Sequence, residues 1–278
     1  MFLRWLLGMP LLTLFPVRLR LSHAEVSPSL KSSGGKSIGQ FFKGEELLYE
    51  IRVRLLKRVA LGRLTFLEGA RKGLYIANLQ AETLGVLGWV ARYRADTYRA
   101  TMEEVEGGRR FRALSFEEDV KVGSKVRKRA YLFDYSKNNW TKLRQRKDGA
   151  LVRTEEKIPP GMIYDDFLTA SFNFRYGAYG AIERGREYLV PTFPKMGKSN
   201  YEVRVAAKEE EVSRRSELKQ KDGKEFFVKL YLDPEVTHSK EGVIEGWLSK
   251  ELYPMEGTIR DVVFFGDVKG TLVKNSRI

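Results

Sequence analysis

The feature that most constrains this chain is a two-residue alternation of apolar and polar side chains that restarts many times. It is clearest near the start, where Leu47, Tyr49, Ile51, Val53 and Leu55 alternate with Leu48, Glu50, Arg52 and Arg54. A period of two puts one set on a buried face and leaves the other wet, which is the signature of a half-buried strand. Leu61 to Leu67 and Leu74 to Ala81 follow as two more strands, with Glu68 to Gly73 as the hairpin turn between them. Further strands are expected over Asp96 to Met102, Arg109 to Phe116, Lys125 to Tyr135, Trp140 to Arg146, and Leu151 to Lys157. Turn-forming stretches such as Gly107-Gly108, Ser136 to Asn139 and Lys147-Asp-Gly149 separate them. Thr83 to Tyr93 reads either as a helical turn or as a buried strand. Short strands with turn signals between them, and no alternating helices, describe an antiparallel meander.

One segment breaks the period. Pro159-Pro160-Gly161 stops a strand, and Ile163, Phe167, Ala170 and Phe174 then recur at helical spacing. A helix is expected over about 162–175, with Asp165 and Asp166 in its first turn, where negative charge suits the helix dipole. Gly177 and Gly180 end it. Strands resume at Arg186 to Phe193 and Tyr201 to Ala207, and a hairpin at Lys221-Asp-Gly223 is expected to join Val212–Gln220 to Glu225–Leu232. The last thirty or so residues, Ile244 to Val273, carry the densest strand pattern. They read as three short strands that close a sheet or barrel begun much earlier.

The first residues differ from all of this. A short basic start, an apolar run from Trp5 to Val17, and small residues at Ser22 and Ala24 form a secretory signal peptide over 1–24. The run is too short for a ~20-residue membrane span, although Arg18 and Arg20 leave an uncleaved anchor or a misassigned start as alternatives. Residues 25–40 read as a flexible leader, and 41–274 as a single β domain. There is no cysteine, hence no disulfide, no thiolate metal site and no cysteine nucleophile. An exported chain without disulfides suits a bacterial periplasm. The formal net charge of +14 favours anionic partners.

Several pieces together resemble an exported bacterial family, the domain of unknown function DUF3108. They are Gly44 to Glu50 leading the first strand, Gly62, Tyr164-Asp165-Asp166-Phe167-Leu168 opening the helix that ends in Phe174-Arg175, Trp247-Leu248-Ser249, Pro254 and Gly270. The resemblance spans about Phe41 to Lys274. It implies a signal peptide followed by an antiparallel, barrel-like periplasmic β domain, and it implies no activity. The chain departs from the family pattern in being more basic through Arg109 to Lys147.

Candidate chemistry is sparse. His238 is the one imidazole outside the leader and sits in a polar loop; no Gly-x-Ser-x-Gly elbow exists to partner it. Asp165 and Asp166 are the best carboxylate pair, but adjacent helical positions point about 100° apart and do not share a substrate. Thr192 to Ser199 holds the tail of a phosphate loop without its first glycine or its strand-loop-helix setting. The basic segment is richer: from Arg109 to Lys147, thirteen Lys or Arg face four acids. In strands, Arg127 and Arg129 share one face, as do Lys142, Arg144 and Arg146. If the strands are neighbours the two faces merge, either as solvated surface or as a docking patch for anionic envelope material.

The expectation is therefore a mainly β protein, a meander forming a barrel-like or strongly curved sheet. It holds a ligand rather than transforming one, with no enzyme activity, cofactor or metal. The expected partner is an apolar or anionic envelope component (lipid or glycan), or another envelope protein; export argues against nucleic acid. Arg127, Arg129, Lys142, Arg144 and Arg146 are the candidate anion-binding residues. The alternatives are a carboxylate-dependent hydrolase of envelope polymers and a structural adaptor.

Overall fold

Among the described residues fourteen strands form one antiparallel sheet, in which most neighbours are also consecutive in the chain. A computed structural model describes residues 35–277 apart from 54–55, 86–92, 147–148, 195–198, 219–223, 233–238 and 263–265. The expected signal peptide and most of the leader lie outside the described residues. So do His238, most of the ambiguous Thr83–Tyr93 segment, and the Gly197-Lys198 tail of the incomplete phosphate loop.

The first eight strands are β1 (Glu45–Val53), β2 (Leu56–Glu68), β3 (Leu74–Thr83), β4 (Ala95–Val105), β5 (Arg110–Val122), β6 (Lys125–Asp134), β7 (Asn139–Gln145) and β8 (Leu151–Lys157). They pair in sequence order. The remaining six are β9 (Glu187–Pro191), β10 (Asn200–Val205), β11 (Phe226–Tyr231), β12 (Val243–Leu248), β13 (Pro254–Val262) and β14 (Gly266–Arg277). They form a second meander, and β14 pairs with β1 along Glu45 to Val53 to fuse the two. The closing strands therefore do their joining in the middle of the sheet. Its two edges are β8 and β9, so the sheet is strongly curved but not closed. Register shifts at Leu48/Tyr49, Thr101/Met102, Trp247/Leu248 and Ile259/Val262 supply local bends.

Among the described residues three helices accompany the sheet: α1 (Ile38–Phe42), α2 (Phe167–Tyr176) and α3 (Lys208–Leu218). Ile38 and Phe42 are fully buried, so packed chain begins inside the segment expected to be a flexible leader. The aromatic core fills one end of the concave face. Phe42, Phe66, Phe111 and Phe172 cluster beneath α2, and Tyr131, Trp140 and Phe193 continue the cluster towards β8. Phe193 lies just beyond β9 and packs against Tyr131 and Phe133 of β6 and Trp140 of β7, which brings this edge of the sheet near the other.

Two sequence expectations are corrected. The helix starts at Phe167, not near 162: Asp166 is its N-cap and Asp165 precedes it in extended chain, so neither lies in the first turn. Gly177 ends it in the left-handed conformation (φ 86°), and its N–H reaches back to the carbonyls of Asn173 and Phe174. The second correction is Val212–Gln220, expected as a strand: residues to Leu218 form α3. Glu209, Glu210 and Glu211 in its first turn favour the helix. Its buried anchor is Glu211 rather than Val212, which is 56% exposed. Glu211 accepts from the Phe227 N–H (3.3 Å) and pairs with Arg184 (2.9 Å). An amphipathic pattern built on a glutamate hides its period.

Candidate functional site

The concave face divides into a filled end and an open end, and side-chain alternation decides what each presents. At the filled end, α2 is locked onto the sheet by polar groups. Asp166, 1% exposed, accepts from the N–H groups of Leu168 (2.8 Å) and Thr169 (3.1 Å) and from the Thr169 hydroxyl (2.6 Å). Asp165 is fully buried. Its Oδ2 accepts from Arg110 (3.1 Å), from Asn173 Nδ2 (3.3 Å) and from the Tyr179 hydroxyl, while its N–H donates to the Pro191 carbonyl (2.9 Å). Burial raises both aspartates to about 6; Arg110 and Tyr179 oppose the rise at Asp165, and the Thr169 contacts oppose it at Asp166. Asn173 uses both ends of its amide on the backbone of Phe111, at 2.8 and 3.0 Å. Arg175 forms a two-pronged pair with Glu45 (2.6 and 2.8 Å), donates to the Leu252 carbonyl (2.9 Å) and lies 4.8 Å from the Phe42 ring. Most of these polar atoms are committed to one another and to backbone; among the described residues, Asp165 Oδ1 and Arg110 Nε are buried without a hydrogen-bond partner. Arg110, Asn173 and Tyr179 escaped sequence reading because no periodicity marks a polar residue that faces inward.

The open end follows from strand register. Val203, Leu230, Ile244, Ile259 and Val268 lie directly opposite one another across β10 to β14. All five are half-buried, so together they form an unbroken aliphatic row. Beside it runs a second row in which Gly246, Gly257 and Gly270 are neighbours, next to Ile51 of β1. A Cβ placed on Gly257 would meet nothing within 4 Å, and one on Gly270 would meet only the Gly257 carbonyl at 4.0 Å. The space above Gly257 and Gly270 is open, whereas a Cβ on Gly246 would meet the Glu256 carbonyl at 3.2 Å and Val228 at 3.4 Å.

The candidate cations share this concave face. Tyr131 and Phe133 of β6 are buried in the aromatic core, and Arg127 and Arg129 continue the same side of that strand. On β7, Trp140 is buried and Lys142 and Arg144 continue its side. Arg129 sits opposite Arg144 in the register, so the two faces merge. Like charges placed opposite one another are unfavourable. Arg129 has a counter-charge in Glu118 (3.8 Å), but Arg127, Lys142 and Arg144 make no ion pair among the described residues. Arg146 does not join the row: it lies beyond β7 in a turn, bonded through its backbone to Ala150 and Gly149. Tyr201 of β10 connects the two halves. Burial raises its pKa, the Thr192 hydrogen bond opposes that, and Asp166, Glu118 and Asp165 are near enough to raise it further. The start of β10 therefore lies within electrostatic reach of Glu118 on β5, which pairs with Arg129.

Among the described residues, no cluster of three or more His, Asp or Glu side chains could hold a metal, and no helix is long and apolar enough to cross a membrane. No curated protein and no solved structure matches the sequence. A family model does match, over residues 49–273, and this range takes in β2 to β13, the Asp165-Asp166 helix start, and most of the β1–β14 seam. The chain belongs to the family described as protein of unknown function DUF3108.

Proposed function

We propose that the open end of the concave face holds an amphiphile with an anionic head, and that the protein works in the bacterial envelope as a binder, not a catalyst. The observation that carries this reading is an open aliphatic-and-glycine strip on the same face as cations that make no ion pair among the described residues. The apolar body lies along Val203, Leu230, Ile244, Ile259 and Val268, over Gly257 and Gly270. The head meets Arg127, Lys142 and Arg144. Burying ten methylene groups would contribute ~8 kcal/mol before the costs of association. Each charge-assisted hydrogen bond to the head adds ~1.5–3 kcal/mol. Export by the N-terminal segment would bring the protein to compartments rich in such molecules. Asp165 and Asp166 are enclosed, 0% and 1% exposed, which does not suit carboxylates that must reach a polymer substrate.

The test is native mass spectrometry of the full chain purified from its own compartment, with organic extraction of anything bound. A co-purifying anionic lipid or lipid-like molecule that is lost from Gly257→Leu protein supports the reading. Identical spectra for wild type and Gly257→Leu, with no bound species after incubation with vesicles of anionic phospholipid, overturn it. A bound glycan with no apolar part would overturn the apolar half.

A further inference from the structure

The opposite, convex face of the same strands carries a second cavity. Phe227 and Trp247 stack there at 4.9 Å, and α3 crosses them, with the Arg215 guanidinium 4.8 Å above the Trp247 ring. Beside the helix, between β1 and β11–β14, lies an open cavity of about 280 Å³. That is just below the ~300–1,000 Å³ of sites for drug-sized molecules and would hold roughly nine waters. Its apolar wall is the Phe227–Trp247 pair, and the rest is charged apart from Thr258.

The charges do not balance locally. Glu245 Oε2 is shared by Arg214 and by Arg260 (2.9 Å). Glu256 is shared by Lys224 and Lys269. Each of these acids thus already serves two cations. Asp267 accepts a backbone N–H from Asp261 at 3.1 Å. The strand register then sets Arg52 directly opposite Lys269, two like charges side by side. Arg52 makes no ion pair among the described residues. Burial lowers the pKa of Lys269, Glu256 opposes this, and Arg52 adds to the lowering. The four lining cations, Arg52, Arg214, Arg260 and Lys269, outnumber the three lining acids, Glu245, Glu256 and Asp267, and two of the cations face each other at the rim.

We propose that this cavity binds a small organic oxyanion, a carboxylate or phosphate ester with a compact apolar body. Its anionic group bridges Arg52 and Lys269 with Arg260 alongside, and its body rests on the Phe227–Trp247 wall. The site is on the other face of the sheet from the amphiphile groove and does not depend on it. The test is isothermal titration of the full chain with benzoate, phenyl phosphate and neutral benzyl alcohol. Saturable binding of at least one anion in the millimolar range or tighter, with none of benzyl alcohol, is expected. Arg52→Gln, an exposed position whose change leaves the fold alone, should weaken that binding by about tenfold or more. Gly257→Leu and Arg144→Gln on the concave face should leave it unchanged. The relative affinity for benzoate and phenyl phosphate identifies the oxyanion. No saturable binding of either anion, equal binding of benzyl alcohol, or full affinity in Arg52→Gln would each overturn the proposal.

Discussion

The two ends of the concave face belong to one sheet but to different strands, and they answer different demands. At the filled end β2 to β7 deliver aromatic and small residues to one cluster, and the helix that covers it is pinned by Asp165, Asp166, Asn173 and Arg175. At the open end the same alternation delivers Leu230, Ile244, Ile259 and Val268 beside Gly246, Gly257 and Gly270, with no described helix over them. The contrast teaches that curvature alone does not fill a sheet. One end is closed by a covering element and resists change; the other is closed only when something else occupies it.

The contrast is broken most directly by truncation on both sides. Phe172→Ala at the filled end should cost ~3–5 kcal/mol, the range for removing a fully buried ring, and should lower the melting temperature by roughly 6–20 °C in a chain of this size. Ile259→Ala, half-exposed already, should cost under ~2 kcal/mol. Equal losses in calorimetry would mean that the open end is as well packed as the other.

Nearly as large an effect is expected at Arg175. Arg175→Met leaves Glu45 as an unpaired buried charge and should cost ~3–5 kcal/mol, with much of it restored in the double variant Glu45→Leu/Arg175→Met. A double variant no more stable than the single would show that the pair does more than neutralise itself.

A pH series sharpens the filled end further. Asp165 titrates near 6 in the folded chain against an unfolded value of 3.8. The native state therefore holds the proton more tightly. The associated stability is complete below about pH 4 and is lost as pH rises through about 6. That difference corresponds to ~3 kcal/mol. Asp165→Asn cannot ionise, so its stability relative to wild type should rise by up to that amount between pH 4 and 7, as measured by denaturant unfolding. A constant difference across this range would place the ionisation elsewhere.

The smallest effects on stability are expected at the open end, where ligand capture responds instead. Gly257→Leu meets no atom within 4 Å of its Cβ and should change stability by less than ~1 kcal/mol, within the range of strand propensities, while occupying the groove. Arg144→Gln should leave unfolding unaltered and weaken an anionic amphiphile by about tenfold. If Gly257→Leu unfolds the chain, the strip above the glycines is structural space.

How much of this was legible in the sequence depended on whether a residue's burial matched its polarity. β1 to β8 could be read because their apolar residues face in and their turns carry Gly, Asn and Asp. α3 was misread because Glu211 faces in while Val212 faces out. Asp165 and Asp166 were found, but as a helix's first turn; their extended backbone depends on the Pro191 carbonyl, far along the chain. Arg127, Arg129, Lys142 and Arg144 were identified as one basic row, and β6–β7 pairing brings them together. Arg146 was lost because the strand ends one residue earlier.

What the sequence determined alone is local: period two specifies strands, turn residues set hairpins between neighbours, and the motifs around Tyr164-Asp165-Asp166 and Trp247-Leu248-Ser249 mark the family. What tertiary structure decided is every relation between distant segments. That β14 joins β1, that three glycines from three strands line up, and that the basic row shares the concave face with the aromatic core all depend on register and curvature. These are set by the summed burial of the whole sheet, and no single segment contains that sum.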